Sequence, residues 1–281
     1  MTYHSQLNWI MLATIIGLAV FLYLKPQLQS EPDTEFQISV RDPDTVRTIR
    51  IIRHGEQATL QRNDNQWYFT SPFYARADAE TVGKILNVLS ANSRQRFVMT
   101  SKEEFNLDQP KIELYLDEDY FAFGGLAPTT DQQYLAINQQ VYLVSPRYAI
   151  WIPVKPVDAV STGLLSANEV PVQFDSQDWI LQREAGGNGR WSIVNGDPNQ
   201  LSSESLERWT RLWQTSRTSE WVLNPQIRDV AQPIAEITLQ DGQKIQFQAW
   251  QDENGIIIFR DNEEVGYYFS EESGWPLLNP H

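Results

Sequence analysis

The chain reads as an α+β protein: an N-terminal single transmembrane helix, then a tandem duplication of a unit made of an antiparallel sheet and one helix. Three observations carry this. An uncharged apolar run opens the chain, a self-similarity returns after about 124 residues, and within each copy the hydrophobic period switches from 2 to 3.6 and back.

Composition narrows the function before any motif is read. Of 281 residues, 41% are hydrophobic and 21% charged, which suits a folding chain rather than a disordered one. The absence of cysteine excludes disulfides, thiolate metal sites, a cysteine nucleophile and a lipidated cysteine anchor. Only His4, His54 and His281 could supply imidazole. A formal charge of −14 argues against a nucleic-acid partner and against docking on anionic lipid by charge.

The first 24 residues contain no Lys, Arg, Asp or Glu, and Trp9 to Leu24 is apolar around a single glycine, Gly17. With Leu7 and Asn8 the stretch would extend about 27 Å as a helix, enough for a thin hydrocarbon core. Trp9 and Tyr23 stand near its two ends as interfacial aromatics do, and Lys25 with Pro26 closes it. A cleaved secretory segment would need a small-x-small site, and Lys25 to Ser30 offers none. Residues 1–26 are therefore expected to be an uncleaved anchor, with a helix at about 7–24 and Trp9, Gly17, Tyr23 and Lys25 as its marker residues. The acidic remainder is expected outside the membrane, with the N-terminus inside.

Residues 27–45, polar and spaced by prolines, read as a tether. The first copy follows over 46–146. Leu60-Gln61-Arg62 then Trp67 recurs as Leu181-Gln182-Arg183 then Trp191, a hairpin with a longer turn in the second copy. Beyond the tryptophans the register is constant, so Phe97-Val98 falls on Trp221-Val222. Between them each copy carries a helix pattern: Asp78 as N-cap with Val82, Ile85, Leu86 and Leu89, and Ser202 with Leu206, Trp209, Thr210 and Trp213. Glu80 and Glu204 sit in the first turns, where an acid complements the helix dipole. Gln109-Pro110 and Gln232-Pro233 then open alternating strands, with Ile112, Leu114 and Leu116 matching Ala235, Ile237 and Leu239. Residues 147–170 read as a linker, 171–272 as the second copy and 273–281 as a tail. The charge is uneven, −5 over residues 25–170 and −9 over 171–281.

A family resemblance rests on these residues: an anchor, the Leu-Gln-Arg…Trp hairpin, a capped helix, the strand entry Asn106-Leu107-Asp108-Gln109-Pro110, and the run from Phe123 to Val144. Together they resemble the bacterial family known as domain of unknown function 4340, over roughly residues 46–270. The chain departs from it at Phe105-Asn106-Leu107, where the family more often has an aromatic residue, glycine and leucine. The resemblance implies an anchored, extracytoplasmic protein of the inner membrane, without known catalysis, in some cases working with ABC-type transporters. It supplies no catalytic residues.

The remaining constellations favour plain readings. No phosphate-binding loop occurs, and Gly186-Gly187-Asn188-Gly189 reads as a turn, so no nucleotide is expected. His54 stands alone at a strand end. Asp117-Glu118-Asp119 lacks the spacing of a calcium loop and reads as a solvated hairpin. Among Arg47, Arg50, Arg53, Arg62, Arg94 and Arg96, strand alternation puts Arg47 and Arg53 on one face and Arg50 on the other, so the cluster reads as scattered surface. Trp67, Trp191, Trp209, Trp213 and Trp221 fall on the buried phase; Trp151, Trp179, Trp250 and Trp275 do not, and are the candidate partner patch. The function expected is a non-catalytic accessory or scaffold of the bacterial envelope with a membrane-protein partner and no metal or cofactor. The alternative is an extracytoplasmic glycan- or peptide-binding module.

Overall fold

A computed structural model describes residues 3–24, 35–184, 189–195, 201–218 and 220–278. Lys25, Pro26, residues 27–34 of the expected tether, Gly186 to Asn188 and His281 lie outside the described residues. Chain order is α1 (Tyr3–Leu24), β1 (Phe36–Gln37), β2 (Thr48–Arg53), β3 (Glu56–Asn63), β4 (Gln66–Ser71), β5 (Ala75–Arg76), α2 (Ala79–Leu86), β6 (Asn92–Ser93), β7 (Arg96–Val98), β8 (Ile112–Leu116), β9 (Asp119–Leu126), β10 (Gln133–Ile137) and β11 (Gln140–Val144). It continues with α3 (Arg147–Ile150), β12 (Pro171–Asp175), β13 (Ile180–Arg183), β14 (Trp191–Asn195), α4 (Ser203–Thr215), β15 (Glu220–Val222), α5 (Pro225–Val230), β16 (Gln232–Leu239), β17 (Lys244–Gln251), β18 (Gly255–Arg260), β19 (Gly266–Ser270) and α6 (Glu271–Leu278).

The strands form two antiparallel sheets, ordered β5-β4-β3-β2-β8-β9-β10-β11-β7 and β14-β13-β12-β16-β17-β18-β19-β15, with a small β1-β6 pair beside them. Apart from β5, the two orders coincide strand for strand. Phe97 on β7 and Trp221 on β15 both close the far edge of a sheet, where their neighbours are β11 and β19. Burial alternates along β8, with Ile112, Leu114 and Leu116 inward, as period 2 requires. All of β18 is buried, which accounts for its uninterrupted Ile-Ile-Ile-Phe run. The β2–β3 turn places His54 at φ +52° and Gly55 at +83°, the positive pair of a two-residue hairpin turn, so His54 serves a turn.

One capped helix covers the inner face of each sheet. The Asp78 carboxylate accepts from the Thr81 N–H at 2.8 Å, and the Ser202 hydroxyl from Ser205 N–H at 3.1 Å. From α2 come Val82, Ile85 and Leu86, from α4 Leu206, Trp209 and Trp213, and both sets enter one continuous apolar cluster. Phe174 is its centre in the second half, edge-on to Trp209 at 4.9 Å and to Trp213 at 5.9 Å.

The outer faces are covered differently. In the first half Phe105 and Leu107 lie on Ala122, Ala136 and Val141; in the second, Ala231 and Ile227 pack with Ile257 and Phe259. The first cover needs a left-handed residue, and Asn106 takes φ +54° at the position where the resembled family has glycine. It also needs glycines beneath it: a Cβ at Gly124 would stand 2.3 Å from the Phe105 carbonyl oxygen.

Three expected boundaries are redrawn by packing. Residues 35–45 of the tether are folded onto the first sheet: Phe36 pairs with Ser93, Ile38 is buried, and Arg41 bridges to Asp119 at 2.6 Å and Asp117 at 3.1 Å. Asp117 therefore holds Arg41 and accepts from the Arg47 and Thr48 N–H groups instead of sitting free in solvent. The linker is built into the body through buried Ile152, Ala159, Val160, Leu164 and Leu165. The tail is largely α6, whose Leu277 is fully buried and accepts from the Trp213 indole at 3.1 Å.

Backbone α1 is 22 residues long. Its described side chains, Trp9 and Met11–Phe21, are all exposed. That described stretch is shorter than a hydrocarbon core, and among the described residues no helix is long and apolar enough to cross a membrane.

Candidate functional site

The two halves meet along a seam made by the expected linker. On one side Asp78 N–H bonds to the Ala159 carbonyl and Ser161 N–H to that of Arg76; on the other, Thr218 N–H bonds to Thr162. The segment thus joins both halves through two isolated β-bridges, Ala77 with Val160 and Gly163 with Arg217, satisfying backbone groups of each.

Beside it lies a buried ionic cluster. Arg76, from the first half and 1% exposed, donates from Nε to Glu263 Oε1 at 2.5 Å and from Nη1 to Glu169 Oε2 at 3.3 Å. Its Nη2 meets the carbonyls of Gly163 and Leu164 and the Tyr267 hydroxyl at 2.8, 3.1 and 3.0 Å. Tyr267 passes its own proton toward Glu263 Oε2 at 2.6 Å. Arg260 forks onto both oxygens of Glu169, through Nη1 at 2.8 Å and through Nη2. Two cations and two carboxylates therefore balance out of water, each with further polar partners, the condition under which buried charge is tolerated.

Burial opposes ionisation of Glu169, but the Arg260 hydrogen bond and the charges of Arg260 and Arg76 prevail and hold its pKa down at about 2. Burial likewise works against the Arg76 charge, and Glu263, Tyr267 and Glu169 outweigh it, raising that pKa. Burial pushes the Tyr267 phenol up.

In front of this cluster the halves leave an open groove of about 1260 Å³. Its lining comes from both halves and the seam: Pro72, Phe73 and Tyr74; Lys155, Pro156 and Val157; Leu223, Pro225 and Arg228; Asn262 and Glu264; with Glu56 and Gln57. The groove and the cluster share two chain segments, since Tyr74 is two residues from Arg76 and Asn262 and Glu264 flank Glu263. Tyr74 and Glu264 clamp each other: Tyr74 N–H bonds the Glu264 carboxylate at 2.5 Å, and Glu264 N–H the Tyr74 carbonyl at 2.7 Å. The arrangement offers apolar contact with a charged rim. No group of three or more His, Cys, Asp or Glu that could hold a metal ion occurs among the described residues.

The four candidate tryptophans do not form a patch. Trp151 ends α3 against Tyr148, with ring centroids 5.7 Å apart. Trp179 stands edge-on to buried Trp209 at 5.0 Å, and Trp250 packs on the Ile257–Phe259 cluster. Trp275, 43% exposed, rides on α6. They stand in four separate places, the end of α3, the β12–β13 turn, β17 and α6, and Trp151, Trp179 and Trp250 pack against neighbouring side chains. Of the anchor residues, Trp9 is exposed and Gly17 has open space around it, while the Tyr23 side chain and Lys25 lie outside the described residues.

The arginines are dispersed too: Arg50 lies 3.7 Å over the Tyr115 ring, Arg62 bonds the Asp44 carbonyl at 2.8 Å, and Arg96 lies over Phe36. The lining of the groove was missed because its parts are scattered over some 200 positions. One signal of the cluster was available. Arg260 ends the otherwise apolar β18, so its charge had to be met inside the fold.

A family model described as Domain of unknown function (DUF4340) matches residues 67–248, well over half of the chain. The matched span includes the groove residues at 72–74, 155–157 and 223–228, and leaves out Glu56, Gln57, Asn262 and Glu264. No curated protein and no solved structure matches the chain.

Proposed function

We propose, from the premise that this chain belongs to the family described as Domain of unknown function (DUF4340), that it is a non-catalytic, single-pass accessory protein of the bacterial envelope whose body works by contact with a membrane-protein partner. The observation that carries this reading is the open groove, set between two halves that buried charges and the backbone bridges of the seam hold together. A rigid, largely apolar cleft with a charged rim is suited to holding a partner segment. The same groove favours the peptide-binding form of the alternative reading over the glycan-binding form, since the four tryptophans that would stack on sugar are apart.

The anchor is part of the proposal. A 22-residue helix extends about 33 Å, and residues 1–24 carry no charged side chain. Its exposed apolar residues find no cover in the rest of the chain among those described. The body begins by Glu35, within roughly 40 Å of the helix end, which keeps it near the bilayer. Export of the body, a tandem duplication as the origin of the shared strand order, and work beside an ABC-type transporter complete the reading.

Crosslinking in intact cells followed by co-purification from carbonate-washed membranes tests it. Retention of the protein in the membrane with a reproducible envelope-protein partner is expected; release by carbonate, or no partner in repeated captures, overturns it. Alkaline phosphatase fused after His281 should be active, and an inactive fusion contradicts export.

A further inference from the structure

We propose that the loop running from α3 to the groove, residues 147–155, is a second membrane contact, with Ile150, Trp151 and Val154 set into the lipid interface and Arg147 and Lys155 at headgroup level. This rests on the anchored reading above and goes beyond it by assigning the face of the body that meets the bilayer.

The loop is braced from beneath. Tyr148, Ala149 and Ile152 are buried, and the Arg53 guanidinium donates to the Ala149 carbonyl at 3.4 Å and to that of Ile152. Pro146, Pro153 and Pro156 restrict the backbone around it. On this base Ile150 is 75% exposed and Val154 54%, and Trp151 is half-buried. Scattered apolar residues are ordinary on a surface, but three within five positions of a braced loop form a tip that water covers poorly. The Arg147 guanidinium lies 4.9 Å over the Tyr148 ring and 5.3 Å over that of Trp151. Aromatic rings beside long cationic side chains, above an apolar tip, match the order of layers at a membrane interface. Asp158 accepts from the Lys155 N–H, and Glu56 lies across the loop beside Val154, so charge here is near balance and apolar contact is the drive.

The path of the chain selects the bilayer as what covers the tip. Phe36, where the body begins, pairs with Ser93, whose hydroxyl donates to the Leu143 carbonyl at 2.7 Å and accepts from the Leu143 N–H at 3.1 Å. Val144, Gln133 and Leu126 pair across one end of the first sheet, and Phe123, Ile112 and Arg53 continue that end to the residue that braces the tip. Entry point and tip therefore share an end of the sheet. From Leu143 to Ile150 the chain spans at most about 25 Å, less than the roughly 40 Å available between the anchor and the body. Lys155, Pro156 and Val157 continue from the tip into the groove wall, so a seated tip opens the groove beside the headgroups.

The chain has no cysteine, so single cysteines can be labelled in the full protein with an environment-sensitive nitrobenzoxadiazole probe. Ile150→Cys and Val154→Cys report the tip; Glu118→Cys, exposed in the β8–β9 turn at the opposite end of the sheet, is the control. In phosphatidylcholine vesicles the tip probes should emit to the blue of the control, be quenched by headgroup-proximal doxyl lipid, and show about threefold or more weaker quenching by aqueous iodide. Adding phosphatidylglycerol or salt should change this little, since contact is apolar. Val154→Asp should restore iodide access to the probe at position 150, with melting unchanged. Tip probes as open to iodide as the control, shielding that needs anionic lipid, or shielding indifferent to Val154→Asp overturns the proposal. So does a tip that is aqueous in vesicles and shielded only in native membranes, which assigns it to a protein. Flotation separates the two readings: a chain that floats with vesicles while its tip stays aqueous loses only the second contact, whereas a chain that does not float loses the anchor.

Discussion

Arg76 and Glu263, 187 positions apart and on different halves, meet at 2.5 Å in a place water does not reach. The arginine enters a site lined by Glu263 and Tyr267 of the second half and by Glu169 and the Gly163 and Leu164 carbonyls of the seam, and every polar group there has a partner. Because Arg76 sits on β5 of the first sheet and Glu263 in the β18–β19 turn of the second half, their bond ties the two halves together, and the groove's walls follow from that relation.

Replacing Arg76 with Met should destabilise the protein by about 3–5 kcal/mol, since Glu263 is left charged, buried and short of its partner. Arg76→Met with Glu263→Gln should recover a large part of the loss, because both charges are then gone. Urea denaturation of the single and double variants checks this, and additive losses would contradict it.

Acid should weaken the protein through Glu169. Its folded pKa, about 2, lies below the unfolded value near 4.5, so the stabilisation is complete above the unfolded value and disappears as pH falls toward 2. The contribution at neutral pH is about 3 kcal/mol. Melting temperature followed from pH 6 to pH 2 should fall less steeply in Glu169→Gln than in wild type, from a lower starting point.

The outer cover of the first sheet should respond to its left-handed residue. Asn106→Gly should be neutral or stabilising by up to about 1 kcal/mol, and Asn106→Val should cost about 1–2 kcal/mol. Gly124→Ala should cost more than either, because the added carbon would meet a backbone oxygen at 2.3 Å. Thermal melts of the three variants rank them, and a tolerated Gly124→Ala would contradict the close approach.

Truncation before Glu271 should unfold or strongly destabilise the second half. It removes Leu277 from the core and leaves the Trp213 indole N–H without its acceptor. Loss of protection in amide exchange concentrated in β18 and β19, which α6 covers, is the expected signature.

Local structure was readable because it rests on neighbours in the chain. Asp78 and Ser202 cap the helices where the 3.6-residue pattern begins, Val82, Ile85, Leu206, Trp209 and Trp213 face inward on that period, and β8 alternates on its period of two. The redrawn segments are those where local cues and tertiary contacts disagree. Gly274 and Pro276 argue against a helix, but Gly274 fits against Ile256 and Phe269 where a side chain would crowd, and buried Leu277 holds α6 in place. Residues 35–45 look like free chain until Asp117 and Asp119 take up Arg41.

What the sequence determined by itself is the family, the mixed α+β class, the helices with their caps and the strand alternation, because caps and periods depend on residues a few positions apart. The tertiary structure alone decided that the halves are bridged through the seam, that Arg76 is answered by Glu263 and Glu169, that the candidate tryptophans are dispersed, and that a groove opens between Tyr74, Lys155 and Arg228. Those features join residues about 55 to 190 positions apart, and neither spacing nor period records which charges will meet once both sheets are packed.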